Sequence, residues 1–327
     1  MGKQIKVALI GNPNTGKTSL FNALTGLNQK VGNYPGITVD KKEGVCKLSR
    51  GAKAHILDLP GTYSLNASSI DENVVIELLL NKKDKDFPDV AVVVADVENL
   101  KRNLLLFTQI KDLKIPTILV VNMSDVMTRK GIALDIAELE TQLNTKIALV
   151  STRKGTGLKD LKNLIESYKA LPKTQCLDAT SIDKNYFKRL QKAFPNQGAY
   201  KLWLVISQDV NFGKLARKEL DISKFQTKSI SELKRLQQKE AIKRYQFIND
   251  VLKKSQVIDR SKAKDLRSKL DRILTHKIWG YFIFFAILMT IFQAIYDWAT
   301  FPMDLIDTTF ASLAEWIKNS FPNGGKL

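Results

Sequence analysis

Histidine and cysteine are nearly absent, with two of each in 327 residues. Cys46 and Cys176 lack the paired spacing of a disulfide framework or a zinc site, and two lone thiols fit a reducing compartment. His55 and His276 lie far apart and form no ligand cluster, so each is expected to be a structural or surface residue. No leader of the charged-then-apolar kind is expected, because strand-like sequence begins at about residue 5. Gly2 follows Met1, but residue 6 is lysine, and the myristoylation pattern fails there. Acidic residues are scarce in one place only. Residues 184–277 carry 24 Lys+Arg against 9 Asp+Glu, whereas residues 1–183 carry 25 against 20 and the last 50 carry 2 against 4. The net charge of +18 therefore sits mainly in one segment. It implies a polyanionic neighbour, either nucleic acid or an anionic membrane surface.

The first 170 or so residues alternate short apolar runs with helical patterns. Strands are expected over Ile5–Ile10, Thr38–Leu48, Ala54–Leu59, Val90–Val94, Thr117–Val121 and Lys146–Val150. Helices are expected over Thr18–Leu24, Glu72–Leu80, Leu100–Leu113, Ile136–Leu143 and Leu158–Lys169. This alternation predicts an α/β fold, a mostly parallel sheet flanked by helices. Residues 170–175 read as a linker. From 183 to 275 the texture becomes charged amphipathic helix and predicts a small all-α basic domain. Its apolar stripes, Leu233, Leu236, Ile242, Tyr245, Ile248 and Leu252, then Leu266, Leu270, Ile273 and Leu274, are expected to form bundle core.

Residues 278–296 contain no charge. A helix of that length spans about 28 Å, close to the hydrocarbon thickness of a bilayer. Trp279, Tyr281, Tyr296 and Trp298 sit near its ends, where such rings prefer the interface. Lys and Arg cluster before it, and Asp297, Asp304 and Asp307 follow it, which places the N-terminal side in the cytoplasm. The expected organisation is a domain over 1–172, a helical basic domain over 183–275, a transmembrane helix over 278–296, and a short amphipathic extracytoplasmic tail over 297–327.

The most informative stretch is Gly11-Asn12-Pro13-Asn14-Thr15-Gly16-Lys17-Thr18, which fits G-x-x-x-x-G-K-[ST] between a strand and a helix. In that context the loop N–H groups and the helix dipole converge on one point, where a polyphosphate can sit. Lys17 reaches the outer phosphates and the Thr18 hydroxyl ligates Mg²⁺. Asp58-Leu59-Pro60-Gly61 follows a strand, so Asp58 can hold Mg²⁺ through its water shell and Gly61 can sense the terminal phosphate. Gly36, Ile37 and Thr38 lie between these motifs. Thr38 is expected to add a hydroxyl to Mg²⁺ in one nucleotide state only.

Asn122-Met123-Ser124-Asp125 follows the next strand but one. A carboxylate at 125 accepts two hydrogen bonds from guanine that adenine cannot supply, so ATP should be rejected. Ser151, Thr152 and Arg153 follow a further strand and can back the base. Residue 62 is threonine, where many small GTPases have a water-orienting glutamine. Another group must stabilise the transition state, and the amide of Asn14 can hold a monovalent cation beside the phosphates. Asn14, Lys17 and Thr38 are the expected catalytic residues.

GNPNTGKT, GNYPGITVDKKEG, DLPGTYSL, NMSD and STRKGTG, in this order, resemble the G domain of the ferrous iron transport protein B family, bacterial membrane GTPases for Fe²⁺ uptake. The run 269–276 leading into an apolar span resembles that family as well. The resemblance implies a P-loop GTPase fold, GTP/GDP and Mg²⁺ as ligands, K⁺ stimulation through Asn14, and a helical segment that slows nucleotide release. It also implies the bacterial inner membrane, with residues 1–277 cytoplasmic. The implied partners are the rest of a transporter membrane domain, small cytoplasmic iron-transport accessory proteins and a homo-oligomeric assembly. Family members continue into a multi-span domain, whereas this sequence has one span. Two other readings stay open: a membrane-anchored regulatory GTPase without transport activity, and a GTPase whose basic domain binds RNA. The second calls for an RNA-recognition element that residues 184–277 do not show, so no nucleic acid partner is expected.

Overall fold

The computed structural model describes residues 4–26, 29–34, 40–66, 69–212, 225, 227–259, 270 and 273–320. They fall into two units, 1–262 and 263–327.

The larger unit is built on a seven-stranded sheet. Its strands are β1 (Gln4–Gly11), β2 (Gln29–Asn33), β3 (Asp40–Lys47), β4 (Lys53–Asp58), β5 (Val90–Asp96), β6 (Thr117–Asn122) and, after the separate short strand β7 (Ile132–Leu134), β8 (Lys146–Leu149), in the order β2-β3-β4-β1-β5-β6-β8. β1 pairs in parallel with β4 and β5, and β5, β6 and β8 continue the parallel part. β2, β3 and β4 are antiparallel. Every residue of β5 and β6 is buried, which explains their unbroken apolar runs: helices cover both faces of a parallel sheet. The register sets Leu9 beside Asp58, Gly11 beside Val94 and Asp96 beside Asn122. The carboxyl ends of four adjacent strands thus share one rim, where open α/β sheets place their ligands.

α1 (Lys17–Thr25) and α6 (Leu158–Glu166) pack on one face, through Leu20, Phe21, Leu161 and Ile165 against Val7, Leu9, Ile118 and Val120. α2 (Ile70–Leu80), α3 (Leu100–Asp112) and α5 (Ile136–Leu143) cover the other. The second core continues without a break into α7 (Lys184–Ala193), α8 (Ala199–Phe212) and α9 (Ile230–Ser255), through Phe187, Trp203 and Ile248. α9 starts at a capping box, with Ser229 and Glu232 satisfying each other's backbone N–H.

α3 and α9 meet over a buried polar cluster. Arg244 Nη1 lies 2.7 Å from Asp112 Oδ2 and its Nε lies 2.8 Å from Glu240 Oε1, with all three side chains at most 1% exposed. Trp203 Nε1 donates to Glu240 Oε2 at 2.6 Å, and the guanidinium faces the Tyr200 ring at 4.8 Å. Asp112 Oδ1 also accepts the backbone N–H of Cys176 at 2.6 Å. Burial pushes the Asp112 carboxyl above its usual range, while Arg244 and the N–H groups of Cys176 and Leu177 oppose that rise.

The structure adds elements that the sequence pattern does not show and revises two expected apolar stripes. The polar edge strand β2, the seven-residue α4 (Ser124–Lys130) and the three-residue pair β7 (Ile132–Leu134) and β9 (Gln256–Ile258) are too short or too polar to show a period. The strand expected from Thr38 is seen from Asp40 onward, and its first two residues lie outside the described residues. α9 buries Leu233, Leu236, Ile248 and Leu252 as expected, but Ile242 is 59% exposed. Its inward positions are taken by Glu240 and Arg244, so polarity disguised the stripe. Leu270, Ile273 and Leu274 are about half exposed rather than core, and Leu266 lies outside the described residues.

In the smaller unit the apolar run over 278–296 opens α10 (Trp279–Ser320), a 42-residue helix with Pro302 inside it. His276 is its cap, accepting the N–H groups of Ile278 and Trp279 at 3.3 Å through Nδ1. The helix is long and apolar enough to cross a membrane, and none of its most apolar stretch is buried. The full chain should therefore need detergent, whereas residues 1–262 should stay monodisperse in plain buffer. Gel filtration checks this, and a monodisperse full chain without detergent would contradict it.

Candidate functional site

The loop from β1 to α1 is shaped by two glycines and one asparagine. A Cβ on Gly11 would sit 2.6 Å from the Val94 carbonyl oxygen. Gly16 has φ 80°, and a Cβ there would sit 2.3 Å from Asn122 Nδ2. Asn14 has φ 67°, a left-handed conformation that asparagine tolerates better than most side chains, and it stands exposed. Thr15 Oγ1 donates to the Asn12 carbonyl at 2.9 Å and closes the loop. The Asn12 side chain turns inward, so only its backbone is offered outward. Pro13 and Thr18 are exposed. No side chain caps α1 and its first turn has no acid, so its free N–H groups and dipole form an anion site.

The loop after β4 leans on this cradle. Leu59 N–H donates to Leu9 O and Thr62 N–H to Gly11 O, both at 3.1 Å. A Cβ on Gly61 would press the Pro13 ring at 3.0 Å, so the two loops lie in contact. Lys17 Nζ forms a direct ion pair with Asp58 Oδ1, and both side chains are largely buried. Thr62 is fully buried with its hydroxyl on the Pro60 carbonyl at 3.1 Å. That geometry removes it as a water-orienting group. Three contacts that sequence patterns do not show hold the rest of the loop. Tyr63 N–H donates to Glu72 Oε1 at 3.1 Å, Leu65 N–H donates to Gln109 Oε1 at 2.8 Å, and the Arg102 guanidinium lies 4.2 Å from the Tyr63 ring. The only signal for them would have been position on α2 and α3.

On the other side of the cradle, Asn122 is fully buried and spans three loops. Its Nδ2 donates to the Thr15 carbonyl at 3.0 Å, and its Oδ1 accepts the Thr152 N–H at 3.2 Å. Met123 has φ 61° and swings the chain into α4, bringing Asp125 into its first turn. Ser151 Oγ donates to Asp125 Oδ1 at 2.7 Å. That hydrogen bond is the main cause holding the Asp125 carboxyl below the usual carboxylate range. The role of Ser151 is thus a side-chain bond to the carboxylate. A Cβ on Gly157 would sit 2.1 Å from the Leu149 carbonyl, which draws the 151–157 loop close, and Arg153 is exposed on it. The structure therefore brings together residues 11–18, 58–61, 122–125 and 151–152. Gly36, Ile37 and Thr38 lie outside the described residues.

A phosphate cradle at a helix N-terminus, a lysine and an aspartate at its mouth, and an ionised carboxylate beside an asparagine brace define a P-loop G domain. Comparison with known proteins gives the family. The family model for ferrous iron transport protein B matches residues 5–165. The chain is similar to the Fe(2+) transporter FeoB of Leptospira biflexa, 35% identical over 98% of this chain and 48% of that protein. It is similar to a Fe(2+) transport protein A/Fe(2+) transporter FeoB fusion protein of Porphyromonas gingivalis, 30% identical over 99% of this chain and 40% of that one. Among solved structures it is similar to the cytosolic domain of the T. maritima FeoB iron transporter in a GDP form. That match has 32% identity and a TM-score of 0.68, covering 78% of this chain and 100% of the other. The chain belongs to the ferrous iron transport protein B family, and it spans about half the length of the curated relatives it matches.

Asn122→Ala deletes a buried donor and acceptor at once. It should lower the unfolding free energy of residues 1–262 by about 1–3 kcal/mol, measured in urea. A loss under about 0.5 kcal/mol, the ordinary surface range, would show that the brace is dispensable.

Proposed function

We propose that residues 1–172 bind and hydrolyse GTP as the nucleotide module of a bacterial ferrous iron transporter, coupling nucleotide state to Fe²⁺ uptake. The carrying observation is Asp125, an ionised carboxylate oriented by Ser151 and set next to the Asn122 brace of the phosphate loop. The T. maritima neighbour in its GDP form supports guanine nucleotide as the ligand. In this reading the backbone of residues 12–18 takes the phosphates. Lys17 would exchange the Asp58 carboxylate for phosphate oxygen, which would leave Asp58 available to hold Mg²⁺.

The donor set fits Mg²⁺. A buried carboxylate and the exposed Thr18 hydroxyl flank the mouth of the cradle, and a cationic group already sits against Asp58. Bound Mg²⁺ would neutralise phosphate charge, and Thr38 is the proposed third protein oxygen. Asn14 belongs to the same loop, exposed and with a left-handed backbone. It is the proposed K⁺ ligand, since buried Thr62 supplies no catalytic amide. Gly36, Ile37, Leu59, Pro60, Gly61, Met123, Thr152 and Arg153 complete the proposed nucleotide contacts.

Residues 183–275 are proposed to modulate nucleotide release and 278–296 to cross the inner membrane, with residues 1–277 cytoplasmic and 297–327 outside. The basic segment suits an anionic leaflet. The Porphyromonas fusion supports a small iron-transport accessory protein as a partner, beside further membrane domain.

Two measurements test this. Wild type should bind GTP far more tightly than ATP, and Asp125→Asn should move the preference to xanthine nucleotides. Equal affinity for ATP and GTP would sink the assignment. Hydrolysis should be faster in K⁺ than in Na⁺, and Asn14→Ala should abolish that difference while keeping GTP binding. Equal wild-type rates in both salts would remove the cation mechanism and redirect attention to Arg153, Lys42 or a partner's arginine.

A further inference from the structure

A single turn of α3 holds two distant parts of the larger unit. Gln109, 1% exposed, accepts the Leu65 N–H at 2.8 Å and so fixes the loop that follows Asp58 and Gly61. Three residues on, Asp112 faces Arg244 of α9 at 2.7 Å and accepts the Cys176 N–H of the connecting segment at 2.6 Å. Residues three apart on a helix are surface neighbours, about 5–6 Å between Cβ atoms. Both anchorages are buried, and a hydrogen-bonded helix turn does not stretch to absorb a pull at one side.

We propose that Gln109 and Arg244 are positioning residues that key the loop over 59–66 to α9 through this turn, so that nucleotide state is felt at the Asp112–Arg244 junction. The inference rests on the GTPase reading above. The loop ends beside the phosphate cradle, through Thr62 N–H on Gly11 O and Gly61 against Pro13. A change at the terminal phosphate moves such a loop, and displacement of Leu65 moves Gln109 unless their hydrogen bond breaks. Asp112 must follow Gln109, and Arg244 has no freedom to stay behind. Glu240 and the Tyr200 ring hold it on its other sides. A compact, buried ion pair of this kind shifts between discrete packings rather than deforming gradually.

The chain carries its own reporter. Cys176 donates its backbone N–H to Asp112, and its partly buried thiol lies beside Lys111, Asp112 and Arg244. Burial, reinforced by the Asp112 charge, pushes the thiol up to about 12. Because its own backbone is tied to Asp112, the rate at which this thiol reacts with a disulfide reagent follows any rearrangement of the junction. The only other cysteine, Cys46, is in the sheet core and can be replaced by alanine.

The experiment uses residues 1–262 with Cys46→Ala. This part is a compact unit, and the similar T. maritima cytosolic domain stands alone as a solved structure. Labelling of Cys176 by dithiobis-nitrobenzoate is timed with GDP and with a non-hydrolysable GTP analogue. The two rates should differ about fivefold or more, the lower end of ordinary coupling between sites. Gln109→Met keeps the size but cannot accept the Leu65 N–H, and it should bring the ratio to one with both nucleotides still bound. Gln109→Glu keeps an acceptor and should restore the ratio. Arg244→Lys keeps the charge without the forked geometry and should reduce it. A wild-type ratio of one, or an unchanged ratio in Gln109→Met, overturns the inference. Failure of either nucleotide to bind, read by a fluorescent guanine nucleotide, would instead remove the GTPase reading and this inference with it.

Discussion

The side-chain amide of Asn122 is the contact on which the site depends. It is fully buried, and it ties the carbonyl of Thr15 to the N–H of Thr152. The phosphate cradle, the Asp125 turn and the 151–157 loop come from three separate strands. Without a shared anchor each would be free to drift by the ångström or so that decides whether a ligand is held at both ends. The close approach of Gly16 follows from this anchor, because any side chain at 16 would occupy the place of the amide. So does the left-handed turn at Met123, which lets Asn122 point back under the loop while Asp125 faces outward. Polar satisfaction in a dry site is an all-or-none demand, and here it sets the spacing of every other part.

Much of this arrangement was legible from residue order because the chemistry demands particular types at short range. A phosphate cradle needs Gly11, Gly16, Lys17 and Thr18 close together, and the Asn122–Asp125 spacing sets a buried amide and a carboxylate on one turn. Parallel strands buried on both faces read plainly as Val and Ile runs. Contacts made across the fold were hidden. Gln109 and Glu72 look like ordinary helix surface residues until the loop over 62–66 is laid across them. Ser151 was legible as a site residue but not as the group that orients Asp125. Arg244 and Glu240 occupy inward positions of α9 that an apolar period would assign to leucine, so the period misplaced Ile242 on the buried side.

The same polar choice at α9 has an energetic reason to persist. Asp112, Glu240 and Arg244 are costly to bury singly and tolerable only together, since each leaves the others unpaired when removed. Well-packed apolar residues would fill that volume at no loss of stability. What the charged trio adds is a fixed alignment of α3, α8, α9 and the segment at Cys176, because an ion pair with three further hydrogen-bonded neighbours accepts few relative placements.

The ribbon formed by β7 and β9 carries a mechanical consequence. The chain leaves the larger unit along β9, paired with β7 from Ile132 to Leu134, and Asp259 N–H closes the ribbon on the Gly131 carbonyl at 2.8 Å. Gly131 is the C-cap of α4, and Asp125 lies in the first turn of that same short helix. Tension on the polypeptide beyond Asp259 is thus borne first by a three-residue zipper, and then by the helix that carries the carboxylate. A load along the exit strand and a load on the Asp125 turn are, for this molecule, the same load.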